Sequence, residues 1–254
     1  MILGLFRSSP VVPIIPAGRR VYAVGDIHGR LDLFENMLEL LRDDNAARGP
    51  AQTDVILLGD LIDRGPSSAE VVRLAMKPLQ WAHLIVLKGN HEASLLDTVD
   101  GVRDTARMWL ENGGRAALRS WGAPEEIVEQ GGVDDVVEAA RANIPREELA
   151  WLARARQCVQ IGDYYFVHAG VRPGVDLSRQ TLRDSLWIRS EFLGSKRDHG
   201  AVVVHGHSIS RGVEERDNRI GIDTGAYATD RLTALGLEGA SRWFVQTGPA
   251  DRPS

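Results

Sequence analysis

The chain has 254 residues, enough to bury a sizeable core in one domain or two. With 43% hydrophobic and 26% charged residues it has the make-up of a soluble globular protein, which excludes a disordered or fibrous chain. Its 30 Lys+Arg against 35 Asp+Glu leave a formal charge of -5, so nucleic acid and anionic membrane find no electrostatic hold, and neither is expected as a partner.

The opening MILGLFRSSPVVPIIPAGRR is apolar, but Pro10, Pro13 and Pro16 break any helical signal segment and no small-residue cleavage site follows. Residues 1–18 are expected as extended chain packed on the fold. RVYAV (20–24), DVILL (54–58) and HLIVL (83–87) are apolar at consecutive positions, which predicts strands covered on both faces. Between the first two, LDLFENMLELL (31–41) puts Leu31, Phe34, Leu38 and Leu41 on one helical face. Between the second and third, SSAEVVRLAM (67–76) reads as a helix whose Ser67 and Glu70 have capping-box spacing. Strand and helix alternating in this way imply a right-handed parallel sheet with helices on its face.

From 93 to 156 the texture changes to four short helical patterns separated by Gly and Pro, a helical insert in which Trp109, Trp121 and Trp151 are expected in the core. The Arg-rich run within it is read as a solvated face. Strands resume at YYFVH (164–168), AVVVH (201–205), RIGID (219–223), RLTALGL (231–237) and RWFVQ (242–246), the last three as an antiparallel meander. Residues 247–254 are expected as a loose tail on a single domain spanning 1–254. Cys158 is the only cysteine, so no intrachain disulfide can form and a reducing, cytoplasmic setting is expected.

Five of these strands end in Asp, Asn or His flanked by glycine. The endings are Gly25-Asp26-Ile27-His28-Gly29, Gly59-Asp60-Leu61-Ile62-Asp63-Arg64, Gly89-Asn90-His91-Glu92, His168-Ala169-Gly170 and His205-Gly206-His207. Five of the seven histidines lie in them. The C-terminal ends of parallel strands share one sheet edge, where ligands bind, so these groups are expected to converge. Carboxylate, imidazole and amide oxygen suit divalent Mn, Fe or Zn better than a soft thiolate site would. Asp26 and His28, two apart, can face one ion; Asp60 is placed to bridge two; Asn90, His168 and His207 complete the second. Two dications against two carboxylates and one hydroxide leave about one positive charge, which draws an anion, and hydrolysis of a phosphate ester is the natural reaction.

GDIHG, GDLIDRG and GNHE, followed by HAG and HGHS, resemble the signature of the phosphoprotein phosphatase (PPP) family within the calcineurin-like metallophosphoesterases. LWIRSEFL (186–193) and IDTGA (222–226) look like its bacterial and phage lambda-phosphatase branch, whereas the SAPNY block of the eukaryotic branch is absent. The resemblance implies an α/β metallophosphoesterase fold: two packed mixed sheets flanked by helices in four α-β-β-α layers, with the insert as one cleft wall. It assigns Asp26, His28, Asp60, Asn90, His168 and His207 to two metal ions, manganese first, with iron or zinc as alternatives. His91 would be the general acid, oriented by Asp63, while Arg64 and Arg189 would grip phosphate oxygens. A guanidinium fork suits a tetrahedral oxyanion, and an acid working near neutral pH suits an imidazole held by a carboxylate. His207 takes the ligand role in HGH, leaving His205 structural or behind the ligands. Glu92 is expected to fix its loop by hydrogen bonding. Asp223 and Tyr227 fall near the site edge, where solvated turn positions explain them equally well.

The implied activity is hydrolysis of phosphoserine, phosphothreonine or phosphotyrosine in a protein or peptide by direct attack of a dimetal-bound hydroxide. A symmetrical dinucleoside polyphosphate hydrolase shares most of these motifs but tends to carry Asp where this chain has Glu92. A non-catalytic phosphate-binding scaffold is the rival from another class; it predicts a lost ligand or acid, and every motif position is filled.

Overall fold

In the computed structural model, which describes residues 12–248, the run RRVYAV forms strand β1 (Arg19–Val24), and its consecutive apolar positions serve two different cores. Tyr22 and Val24 pack on helices, while Val21 and Ala23 face a second sheet. Alternation across a strand puts neighbouring residues on opposite faces, so an unbroken apolar run marks a strand with no solvent face. Strand β2 (Gln52–Leu57) divides in the same way, with Val55 and Leu57 toward the helices and Ile56 toward the sheet. Strand β3 (His83–Val86) completes the parallel set.

The remaining strands are β4 (Cys158–Ile161), β5 (Tyr164–Val167), β6 (Val202–His205), β7 (Glu214–Glu215), β8 (Arg219–Gly221), β9 (Thr233–Glu238) and β10 (Ser241–Gln246). They make two mixed five-stranded sheets, ordered β10-β9-β1-β2-β3 and β4-β5-β6-β8-β7. In the second sheet β5, β6 and β8 are parallel, and β4 and β7 run antiparallel at its edges.

Helices α1 (Leu31–Ala47) and α2 (Ser68–Ala75) cover the outer face of the first sheet. The insert supplies α3 (Asn90–Val99), α4 (Arg103–Trp109), α5 (Arg115–Ser120), α6 (Glu125–Gln130), α7 (Val133–Asn143) and α8 (Arg146–Ala153). Short helices α9 (Leu182–Trp187) and α10 (Ser190–Leu193) bring Ile188, between them, and Phe192 to the far side of the second sheet, and α11 (Ala226–Thr229) leads into β9. The layers are helix, sheet, sheet, helix.

Four local expectations change. RIGID does not join a meander: β8 pairs with β6 in the second sheet, and the chain then crosses to the first, where β9 inserts antiparallel beside β1. Helix α1 runs to Ala47, and its buried stripe is Leu33, Phe34, Met37 and Leu41, with Leu31 and Leu38 only partly covered. Ser67 makes no side-chain cap; the hydroxyl that matters is that of Ser68, which accepts the Asp63 N–H at 2.9 Å. Strand β4 goes unpredicted because it alternates without a turn signal ahead of it, and the half-buried Cys158 opens it. Residues 12–18 run in from the edge, with Ile15 buried and its N–H donating to Gly239 O at 2.9 Å. The rest of the expected N-terminal segment, 1–11, and of the tail, 249–254, lies outside the described residues.

Trp109 and Trp121 are buried and Trp151 half-buried. Trp121 donates its indole N–H to Glu148 Oε2 at 2.6 Å, and Glu148 Oε1 accepts from Arg73 of α2 at 2.8 Å, tying the insert to the sheet's helices. Glu148→Ala strands that buried donor and is expected to cost about 1–3 kcal/mol, a fall in Tm of about 3–10 °C by calorimetry. A fall under about 1 °C would show that the indole finds another partner.

Candidate metal centre

The loops after β1, β2 and β3 meet those after β5 and β6 where the two sheets abut. Six described non-glycine residues have positive φ, and five of them are here: His28 (48°), Asp60 (50°), Asp63 (73°), Arg64 (67°) and His207 (62°). Each such backbone costs about 1–3 kcal/mol and persists only where the surroundings hold it, as they do at working sites. Strain is therefore concentrated on one cluster of polar side chains.

Asp60 sits at the centre, 2% exposed. Its Oδ2 lies 3.6 Å from His28 Nε2 and 3.8 Å from His91 Nε2, and its Oδ1 lies 3.4 Å from His168 Nε2. Two triplets share it, His28–Asp60–His91 and Asp60–His168–His207, and the donor atoms within each lie within 4.8 Å of one another. Glu92 fixes the loop that carries Asp60. One carboxylate oxygen accepts the N–H groups of Asp60 and Gly89 at 2.9 and 2.8 Å, and the other accepts that of Leu61 at 2.8 Å.

The imidazoles are prepared as lone-pair donors. His28 Nδ1 donates to Ile62 O and His168 Nδ1 to Leu58 O, each at 2.9 Å, which leaves both Nε2 lone pairs turned toward Asp60. Burial pushes His28 down to about 3; burial and then the neighbouring His168 push His207 down to about 3. Burial lowers His168 as well, so all three are neutral near pH 7, the form that binds metal. Asn90 Oδ1 lies 2.9 Å from His168 Nε2. Lone pairs aimed at carboxylate and amide oxygens repel unless a cation lies between them, so the donor set fits divalent metal ions.

Asp26 stands outside both triplets. It is buried, and its carboxylate accepts the backbone N–H of His207 at 3.0 and 3.2 Å. Gly206 makes this approach possible, since a Cβ there would lie 2.0 Å from Asp26 Oδ1. Asp223, left open by sequence reasoning, is 3% exposed and stands beside Asp26. Burial, then the charges of Asp223 and Asp60, push Asp26 well above the usual carboxylate range, and burial pushes Asp223 up to about 6. Its signal was visible as a carboxylate at the end of RIGID.

His91 Nδ1 meets Asp63 Oδ2 at 2.6 Å, and the same oxygen accepts the Trp109 indole N–H at 2.8 Å. Burial opposes the charged imidazole, but the charge of Asp60 and the Asp63 hydrogen bond outweigh it and raise His91 to about 9. A cation on Asp60 would offset part of that charge, and the Asp63 carboxylate would still favour the protonated ring. Trp109 was expected as core alone; nothing in its local pattern marks a contact 46 residues away.

Arg64 Nη2 lies 3.3 Å from His91 Nε2, with its guanidinium 4.6 Å above the Tyr227 ring, which stands edge-on to His28. Arg189 Nε donates to His207 Nε2 at 3.1 Å. Both arginines line the recess that holds Asp60 and His91. His205 turns away: its ring packs edge-on against Phe192 at 5.1 Å, and its Nδ1 contacts Gly206 O at 3.0 Å.

A family model described as Calcineurin-like phosphoesterase matches residues 19–236. A protein of Salmonella typhimurium named Serine/threonine-protein phosphatase 1 is 38% identical over 226 residues, covering 87% of this chain and 93% of that one. One of Nitrosospira multiformis, named Bis(5'-nucleosyl)-tetraphosphatase, symmetrical, is 27% identical over 216 residues, 80% of this chain. This chain spans 66% of that relative's length. The crystal structure of a cold-active protein-tyrosine phosphatase from a psychrophilic Shewanella shares the fold, with a TM-score of 0.55 at 16% identity, over 93% of this chain and 84% of the other. Among the described residues no helix is long and apolar enough to cross a membrane.

Proposed function

The chain belongs to the calcineurin-like phosphoesterase family, and on that premise we propose that it is a phosphomonoesterase acting on phosphorylated serine or threonine in proteins. The observation that carries the reading is Asp60, whose two oxygens face two separate sets of imidazoles. Asp26, His28 and Asp60 would hold one divalent ion, and Asp60, Asn90, His168 and His207 the other, with manganese as the first choice. Such a pair activates water at neutral pH and offsets the charge of a phosphoryl group.

The chain's own residues do the rest. His91, held at Nδ1 by Asp63, presents Nε2–H to the recess and passes that proton to the departing alcohol oxygen. Its Nε2–H and the Arg64 Nη2–H are two donors only 3.3 Å apart, and one phosphate oxygen between them satisfies both. Arg189 Nε donates to the His207 Nε2 lone pair that would serve a cation; with that lone pair so engaged, the guanidinium would be free to donate to a second phosphate oxygen. Two arginine forks favour a terminal phosphate dianion over a diester.

Symmetrical cleavage of dinucleoside tetraphosphates is the second reading, supported by the name that several relatives carry. The higher identity of the Salmonella relative, 38% over 226 residues against 27% over 276, favours the phosphatase. With added Mn, kcat/KM on a phosphoserine and phosphothreonine peptide panel is expected to exceed that on diadenosine tetraphosphate by about tenfold or more, a difference of about 1.4 kcal/mol in barrier. Faster turnover of the dinucleotide reverses the assignment.

A further inference from the structure

The insert meets the Asp63-Arg64 turn through a break in its own helix. Between α4 and α5 the chain kinks at Leu110–Gly114, where Asn112 (φ −99°, ψ 16°) and Gly113 (φ 112°, ψ 0°) leave helical geometry. The Gly113 carbonyl accepts the Arg64 N–H at 3.2 Å. A Cβ on Gly113 would lie 2.7 Å from both N and Cγ of Arg64 and 3.1 Å from its Cα, so the two backbones meet without room for a side chain. Gly114 packs equally closely on Trp109, the residue that donates to Asp63. The Asn112 amide bridges the break by donating to Met108 O at 2.7 Å.

Such a kink interrupts the regular helical hydrogen bonds, and its local cause is Gly113 at positive φ. Arg64, at φ 67°, relaxes toward right-handed or extended backbone unless its surroundings hold it. The Gly113 carbonyl and the contact beneath it are such a hold.

We propose that the kink Leu110–Gly114 is a positioning device for Arg64, keeping its backbone left-handed so that the guanidinium points across the recess at the phosphate. The proposal rests on the reading of Arg64 as a phosphate contact. It makes the insert part of how the phosphate is gripped, beyond its place as a cleft wall.

The test uses the full chain with Mn added, a phosphoserine peptide as substrate and inorganic phosphate as competitive inhibitor. Gly113→Ala is expected to raise KM and the phosphate Ki about tenfold while kcat changes by less than about threefold. Gly122→Ala is the control: Gly122 has φ +80° with nothing near its would-be Cβ, so the variant is strained but should leave KM and Ki unchanged. Arg64→Ala should itself raise Ki, and adding Gly113→Ala to it should add less than about twofold, because the two act through one contact. Independent effects that multiply in the double variant, or an unchanged Ki in Gly113→Ala, overturn the proposal alone. An unchanged Ki in Arg64→Ala overturns the phosphate-contact reading beneath it. Should Gly113→Ala fail to fold, the exposed Asn112→Ala loosens the turn without a clash and should raise Ki about threefold; no change there also overturns it.

Discussion

Asp60→Asn is expected to lower kcat/KM by at least about 10³-fold and to reduce bound Mn from about two ions per chain to fewer than one. The substitution keeps shape and removes charge from the one carboxylate common to both triplets. Its oxygens lie 3.4 to 3.8 Å from three imidazole nitrogens, and no other carboxylate among the described residues shares both groups. Charge stabilisation by bound metal supplies several kcal/mol of the catalytic effect, and about 1.4 kcal/mol is a factor of ten, so losing it costs three or more powers of ten. Metal content by inductively coupled plasma mass spectrometry, read beside kcat/KM, separates loss of ions from loss of fold. Retention of two ions with full activity would mean that Asp60 bridges nothing.

His91→Ala should lower kcat on a phosphoserine peptide by about 10²–10⁴-fold, the usual contribution of a positioned acid, and much less on p-nitrophenyl phosphate. The difference lies in the leaving group. A serine alkoxide needs its proton in the transition state, whereas nitrophenolate leaves without one. Asp63→Asn should follow the same pattern more mildly, since it weakens the 2.6 Å contact that orients the ring without removing the ring itself. Equal losses on both substrates would place His91 in phosphate binding and leave the acid unidentified. Unchanged metal content in His91→Ala is needed for either conclusion, because His91 also lies within reach of Asp60.

Most of the cluster could be read from the chain because metal-binding side chains interrupt apolar runs abruptly. Val24 ends β1 and Leu58 follows directly on β2, both buried, and two positions after each stands a carboxylate, Asp26 and Asp60, preceded by glycine. Such a change of character is local and survives in one dimension. Asp223 carried the same mark at the end of RIGID, yet a turn carboxylate and a buried partner of Asp26 look alike until β8 is placed beside β6. Trp109 and Gly113 carried no mark, since a buried indole and a helix-breaking glycine are common for reasons unrelated to chemistry.

The amino-acid order by itself determined most of the strands and helices and the side chains of the metal cluster, because apolar periodicity and glycine placement act over a few residues. Only the tertiary structure decided that these strands divide into two sheets, that β9 returns beside β1, that Asp26 faces Asp223, and that the insert's broken helix holds Arg64. Those outcomes depend on contacts between segments far apart in the chain, up to Arg20 with Glu238, and nothing in the pattern around any one of them specifies its distant partner.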